Sequence, residues 1–224
     1  MRACCPGGKL AARLRYKVVS FDFDGTLADS ADWFVEILNQ VAGEFGFKRL
    51  NEEDRIRLRH LDTRAILKTL EIPLWKLPKI MARLRSAATE KSHEISMFSG
   101  VSQMFETIAA SGTRIVIVSS NAETTVRNTL GPGISALVAD YACGASLFGK
   151  AGRLKSILRR ERIAPSELIY IGDETRDAEA ARQAGTHFGA VAWGYASLEA
   201  LAKYSPNLSF HTMDEIPAKL HRAL

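Results

Sequence analysis

The chain has 224 residues, 46% hydrophobic and 25% charged, with a formal net charge of +5. That length supports one domain with an insertion or two small domains, each with a buried core. The mild positive balance suits anionic ligands, but dispersed basic residues and sparse aromatics argue against a dedicated nucleic-acid surface.

The opening stretch MRACCPGGKLAARLRYK carries positive charge without an apolar run, so it does not read as a secretory signal. Residues 1–14 are read as an N-terminal extension. No window of the sequence approaches a membrane span. Cys4, Cys5 and Cys143 make neither a disulfide framework nor a zinc spacing, which favours reduced thiols and a cytoplasmic location.

The run KVVSFD predicts a first strand, ending in FDFDGTLADS. Residues i and i+2 of a strand face the same side, so Asp22 and Asp24 are expected to crowd their carboxylates together. From Ala31 the pattern turns helical: Phe34, Ile37, Leu38, Val41 and Phe45 keep helical spacing. Further helices are predicted over Asn51–His60, Thr63–Leu70 and Leu77–His93, punctuated by Pro73 and Pro78. Gly100 marks the return to the sheet. The core is accordingly read as 15–29 with 98–224, and the helical insertion as 30–97.

Beyond it, TRIVIVSS, ELIYIGD and HFGAVAW predict three more buried strands, each followed by a helical segment, and NLSFH a weaker one before the last helix. Continuous apolar strands alternating with helices indicate an α/β fold, a Rossmann-like parallel sheet covered on both faces.

In such sheets ligands bind beyond the carboxyl ends of the strands. The first strand leaves Asp22 and Asp24 there, the second Ser119, Ser120 and Asn121, the third Gly172, Asp173, Glu174 and, a turn later, Asp177. Lys150 precedes a helix in LFGKAGRLKS; Lys155 falls within that helix and is expected to face solvent. Ser119 to Asn121 suit either a helix cap or a phosphate. Asp173 suits either an N-cap or an ion, and Gly172 would let the backbone approach that ion closely. Acids, a hydroxyl and a lysine in one crevice suit Mg²⁺ and a phosphoryl group. One carboxylate can then attack phosphorus, a second can move the proton, and lysine and serine can hold the transferring oxygens.

DFDGTLADS resembles the first motif of the haloacid dehalogenase superfamily in its two-aspartate phosphatase form. VSSN resembles the second motif, Lys150 the third, and GDETRD the fourth, in the family's order from about Tyr16 onward. The resemblance implies a mobile helical cap over the Rossmann-like core. It implies Asp22 as nucleophile and Asp24 as general acid and base. Mg²⁺ would be held by the Asp22 carboxylate, the Asp24 carbonyl and Asp173. Ser119 and the Ser120 amide would bind phosphoryl oxygens, with Asp177 supporting Lys150 or the metal's water shell. The resemblance is closest to the subfamily of phosphoglycolate phosphatases and β-phosphoglucomutases.

The expected function is therefore Mg²⁺-dependent hydrolysis of a small phosphorylated metabolite, 2-phosphoglycolate being the first candidate. A sugar phosphomutase and a catalytically silent binding protein are the alternatives. No nucleic-acid or membrane partner is expected, and the protein is expected to be a monomer or homodimer. In the insertion, Arg55, Arg57 and Arg59 read as a solvated face, and Arg64 as the one substrate contact. Trp33, Trp75 and Trp193 read as core or interface. His187 and His211 have no evident role.

Overall fold

The computed structural model describes residues 15–221; the proposed N-terminal extension, with Cys4 and Cys5, lies outside them. Strand β1 (Val18–Phe21) is buried along its whole length. It lies between β4 (Arg114–Ile117) and β6 (Leu168–Gly172), pairing Phe21 with Ile117 on one side and Ile171 on the other. With β5 (Val138–Tyr141), β7 (His187–Val191) and β8 (Leu208–Phe210) the sheet runs β5-β4-β1-β6-β7-β8, every pair parallel. The chain winds outward from β1 to β5, then crosses back to β6 and winds the other way. That reversal opens a crevice at the carboxyl end of β1.

Helices α5 (Val101–Ala110), α6 (Glu123–Ser135), α7 (Lys150–Glu161), α8 (Thr175–Ala184), α9 (Leu198–Ala202) and α10 (Glu215–Leu220) complete this part. Two apolar clusters cover the sheet, one around Phe21, Phe105 and Phe210, the other around Val116, Leu154 and Tyr170. β5 is an addition to the expected strands. Its VADY is only partly buried, so it lacks the continuous apolar run by which the central strands announce themselves. His187, without a partner in the sequence, meets the Tyr16 hydroxyl at 2.9 Å. Burial pushes the Cys143 thiol up to about 12, an unreactive state.

Between β1 and α5 lie α1 (Ala31–Phe45), α2 (Glu52–Leu58), α3 (Thr63–Thr69) and α4 (Leu77–Glu90). Their boundaries follow local chemistry. Gly46, at φ 69°, caps α1 by donating its N–H to the Ala42 carbonyl. Asn51 and Asp62 accept N–H bonds from Asp54 and Ala65 at the starts of α2 and α3, and Pro78 sits in the first turn of α4. Ile37, Val41, Leu67 and Ile80 belong to a third apolar cluster within these helices. Strands β2 (Ala28–Asp29) and β3 (Ser96–Met97) pair antiparallel where the chain enters and leaves the helices. Two residues per strand are too few for alternation to register in sequence. No helix among the described residues is long and apolar enough to cross a membrane.

Candidate active site

The chain leaves β1 directly into Asp22, which is 2% exposed. Gly25, at φ 71°, then reverses it, and a Cβ there would collide with the Asp173 carboxylate. β6 ends in Gly172 and delivers Asp173; Asp177 follows in the first turn of α8, and both acids are fully buried. One carboxylate oxygen from each of Asp22, Asp173 and Asp177 lies within 4.8 Å of the others. These three acids form a group able to hold a metal ion.

Lys150, 1% exposed, opens α7 and places Nζ 2.7 Å from both Asp22 Oδ2 and Asp177 Oδ1. A cation at a helix N-terminus works against the helix dipole, and these two carboxylates offset that cost. Lys155 is exposed. The Tyr170 hydroxyl also donates to Asp177 Oδ1, at 3.0 Å. Burial opposes the Lys150 ammonium, but Asp177 and Asp22 outweigh it and raise its pKa. Burial likewise pushes Asp177 up, yet Lys150 and Arg176 hold it below the usual carboxylate range.

Asp22 and Asp173 are less well compensated. Burial, then Asp177, raises Asp22 to about 8 against the pull of Lys150 and Arg176. Burial, then Glu174 and Asp22, raises Asp173 well above an ordinary aspartate. Such a pair fits a divalent cation, whose charge would remove the penalty on ionising both. Asp173 is rigidly aimed, accepting from Thr26 Oγ1 and the Tyr195 N–H, each at 2.8 Å.

Asp24 stands apart. Its carboxylate accepts from Asn121 Nδ2 at 2.9 Å and Ser30 Oγ at 3.2 Å, and Ser30 Oγ in turn meets the Tyr195 hydroxyl at 2.8 Å. The crowding expected between Asp22 and Asp24 therefore falls elsewhere: the strongest like charge on Asp22 is Asp177. The cause is the turn after Asp22, which breaks the strand periodicity on which that expectation rested. Burial raises the Asp24 pKa, opposed by the Ser30 bond.

At the end of β4, Ser119 is fully buried, and its Oγ accepts the Asn121 N–H at 3.0 Å. Helix α6 starts at Glu123, with Ala122 as N-cap and no side-chain cap, so the Ser-Ser-Asn stretch is not its cap. Ser120 and Asn121 border a cavity of about 390 Å³ beside the acids. The N-cap of α8 is Glu174, not Asp173. Glu174 pairs with Arg176 and also borders the cavity. A Cβ on Gly172 would lie 2.7 Å from Asp177 Oδ2. Glycine is thus required there by the packed Asp177 side chain.

The helices close over these loops. Arg85 of α4 donates to the Ser120 and Ala145 carbonyls, both at 2.8 Å. Arg59 donates to the Gly194 carbonyl at 3.2 Å, and the Thr63 N–H meets Thr175 Oγ1 at 3.3 Å. Arg64 is exposed and does not line the cavity, whereas Arg55, Arg59 and Arg85 do. The solvated face expected for Arg55 and Arg59 therefore looks inward in part. Trp75 is 76% exposed, while Trp33 and Trp193 border the cavity, with Trp193 Nε1 donating to the Thr26 carbonyl.

Thr26 and Tyr195 have no assigned role in the sequence, and Asn121 reads there as part of a cap or phosphate stretch rather than as a partner of Asp24. Their signal was positional: Asn121 follows β4, and Gly194 and Tyr195 follow β7, at the same sheet edge as the acids. Gly194 gives a direct test, because an added Cβ would collide with Asp173 Cβ. Gly194→Ala is expected to cost about 1–3 kcal/mol from overpacking. By displacing Asp173 it should weaken divalent-metal affinity roughly ten- to a hundredfold. Denaturant unfolding and a metal titration read the two effects separately.

Comparison with known proteins agrees with this architecture. The family model described as haloacid dehalogenase-like hydrolase matches residues 19–191. A phosphoglycolate phosphatase of Synechococcus elongatus is 29% identical over 201 residues, covering 89% of this chain and 95% of the relative. Tyrosine-protein kinase PtkA of Mycobacterium tuberculosis is 25% identical over 206 residues, covering 89% and 71%. A haloacid dehalogenase-like hydrolase of Streptococcus pneumoniae superposes with a TM-score of 0.75 at 21% identity, covering 92% of this chain and 98% of that one. With the match spanning β1 to the end of β7, the chain belongs to the haloacid dehalogenase-like hydrolase family.

Proposed function

We propose that the protein is a Mg²⁺-dependent phosphatase acting on a small phosphate monoester through an aspartyl-phosphate at Asp22. The observation that carries this reading is the buried contact of Lys150 with Asp22 and Asp177, beside Asp173. Asp22 and Asp173, with the carbonyl of Asp24, would hold Mg²⁺, an oxygen-seeking ion. When bound, that ion supplies positive charge against the substrate's phosphoryl oxygens.

Asp22 Oδ attacks phosphorus as the ester oxygen departs in line. Lys150 keeps the attacking carboxylate ionised and oriented, and Asp177 with Tyr170 fixes Lys150 in turn. Ser119 Oγ and the Ser120 N–H hold phosphoryl oxygens. Asp24, its pKa raised by burial, donates a proton to the leaving alkoxide and later takes one from the attacking water. Asn121 and Ser30 aim its carboxyl group. The closed helices exclude bulk water from these steps.

The test is phosphate release from p-nitrophenyl phosphate with Mg²⁺ and with EDTA, followed by a panel of phosphate esters. The phosphoglycolate phosphatase names of relatives make 2-phosphoglycolate the first of them. Activity that persists in EDTA would remove the metal from the mechanism. Following sugar-phosphate isomers beside free phosphate in the same assays separates hydrolysis from mutase chemistry.

Metal binding should also be visible in stability. The folded Asp22 pKa of about 8 exceeds the unfolded value of ~3.9. The metal-free folded state therefore binds the extra proton across that window. Its contribution to stability is complete below ~pH 4 and is lost progressively as pH rises to about 8. Mg²⁺ competes with that proton. At Mg²⁺ about a hundredfold above its Kd, Tm should rise by roughly 5–10 °C. The rise at a given Mg²⁺ concentration should be larger at pH 8.5 than at pH 6. An equal shift at both values would contradict proton-linked binding.

A further inference from the structure

Helix α4 of the insertion docks on the loops that follow β4 and β5. Thr89 Oγ1 meets Thr125 Oγ1 of α6 at 3.0 Å, and one turn earlier Arg85 reaches into the loops themselves. Its Nε and Nη2 donate to the carbonyls of Ser120 and Ala145, both at 2.8 Å. These two N–H groups share one edge of the planar guanidinium, a rigid fork that lysine lacks. Hydrogen bonds from an ionised donor are roughly twice as strong as neutral ones, so a single side chain clamps both loops.

The loops are also tied to each other. The Ala145 N–H donates to the Ser119 carbonyl at 3.1 Å, and the Gly144 N–H to the Asn121 carbonyl at 2.8 Å. Arg85 takes the carbonyl between these two, that of Ser120. This carbonyl and the Asn121 N–H belong to one planar trans peptide and point in opposite directions. The N–H donates to Ser119 Oγ at 3.0 Å. Arg85 and Ser119 therefore hold the same peptide from opposite sides. The Asn121 that follows it donates from Nδ2 to Asp24 Oδ2 at 2.9 Å.

We propose that Arg85 is a positioning residue for Asp24. From the helical insertion it fixes the Ser120–Asn121 peptide, and through that peptide the amide that aims the Asp24 carboxyl group. This inference rests on the reading of Asp24 as the proton donor to the leaving oxygen. It adds that the proton is delivered only while α4 is seated on the core loops, so protonation occurs where bulk water is shut out.

The test compares two esters that share a ring but differ in their need for a proton, using the full chain with Mg²⁺. p-Nitrophenolate departs as a stable anion, whereas the more basic phenolate of phenyl phosphate gains from an acid. kcat/KM reads the reaction through phosphoryl transfer to Asp22, before the hydrolytic water acts. In Arg85→Met it should fall about 10²-fold for phenyl phosphate, the lower end of what a positioned acid contributes, and less than about threefold for p-nitrophenyl phosphate. Arg85→Lys keeps the charge without the fork and should restore only part of the difference; it also serves should the first variant fail to fold. In an Asn121→Ala background, where the link is already cut, adding Arg85→Met should leave the ratio of the two esters unchanged. Equal losses on both esters in Arg85→Met overturn the inference, since they would mean that Arg85 serves binding or packing alone.

Asp24→Asn separates this failure from that of the reading beneath it. It should lose at least as much on phenyl phosphate as Arg85→Met does. Equal losses on both esters in Asp24→Asn would remove Asp24 as the acid, and the inference with it. A second arm needs no turnover. Exchange of the Asn121 amide hydrogen, followed by NMR, should be about tenfold faster in Arg85→Met, while exchange along β6 stays as in the parent. An Asn121 amide that exchanges as in the parent would show that Arg85 does not hold this peptide, whatever the kinetics.

Discussion

Asp22→Asn is expected to reduce kcat for any phosphate ester by roughly 10⁴-fold or more, because the amide cannot form the covalent intermediate. The loss should come without unfolding. Asparagine is nearly isosteric, and the native carboxylate is itself opposed by burial and by Asp177. Lys150 keeps its second partner, Asp177, at 2.7 Å. Thermal unfolding without Mg²⁺ should therefore show a midpoint no lower than that of the parent. The stabilisation by Mg²⁺ should shrink, since one ligand carboxylate has gone. A variant that turns over like the parent would exclude Asp22 as nucleophile. An unfolded variant would contradict the reading of Asp22 as a residue kept for chemistry at the expense of stability.

Lys150→Met is expected to produce the largest stability loss. The substitution keeps the volume of a fully buried side chain but removes the cation shared by Asp22 and Asp177. Breaking a buried ion pair by removing one member typically costs about 3–5 kcal/mol. For a chain of this size that corresponds to a fall in Tm of roughly 10 °C or more. The sign of its pH dependence follows from the acids left behind. Without Lys150, Asp177 loses the main influence holding its pKa down. The variant then gains stability as pH falls and the acids protonate, so the gap from the parent should be smaller at pH 5 than at pH 8. Activity should drop by about 10²–10³-fold, the scale of losing one fixed charge at the reacting oxygens. Urea unfolding at the two pH values, with kcat at pH 7, provides the check. A gap that widens on acidification would mean that Lys150 does not balance these carboxylates.

Both predictions concern groups whose identity was legible in the chain and whose environment was not. The four central strands, the helical insertion and the position of Asp22, Asp173 and Lys150 at strand or helix ends all follow from apolar runs interrupted by polar residues. Those patterns record burial, and burial is what the strands and helices share in sequence and in space. β5 carries no such record, being half-exposed, and β2 and β3 are too short to carry one.

Within the site, the residue types and their order along the chain determined that acids, a hydroxyl and a lysine would meet at one edge of a parallel sheet. Only the tertiary structure decided which acid faces which. The turn at Gly25 sends Asp24 to Asn121 and Ser30, while Asp177 becomes the close neighbour of Asp22. It also decided that Arg64 stands in solvent while Arg85 reaches the core loops, and that apolar helix faces border the same cavity as Asp24 and Asn121. The physical reason is one of range. Periodicity and capping act over a few residues and are written locally, whereas electrostatic partnership and cavity shape depend on side chains far apart in the chain, 165 positions between Ser30 and Tyr195.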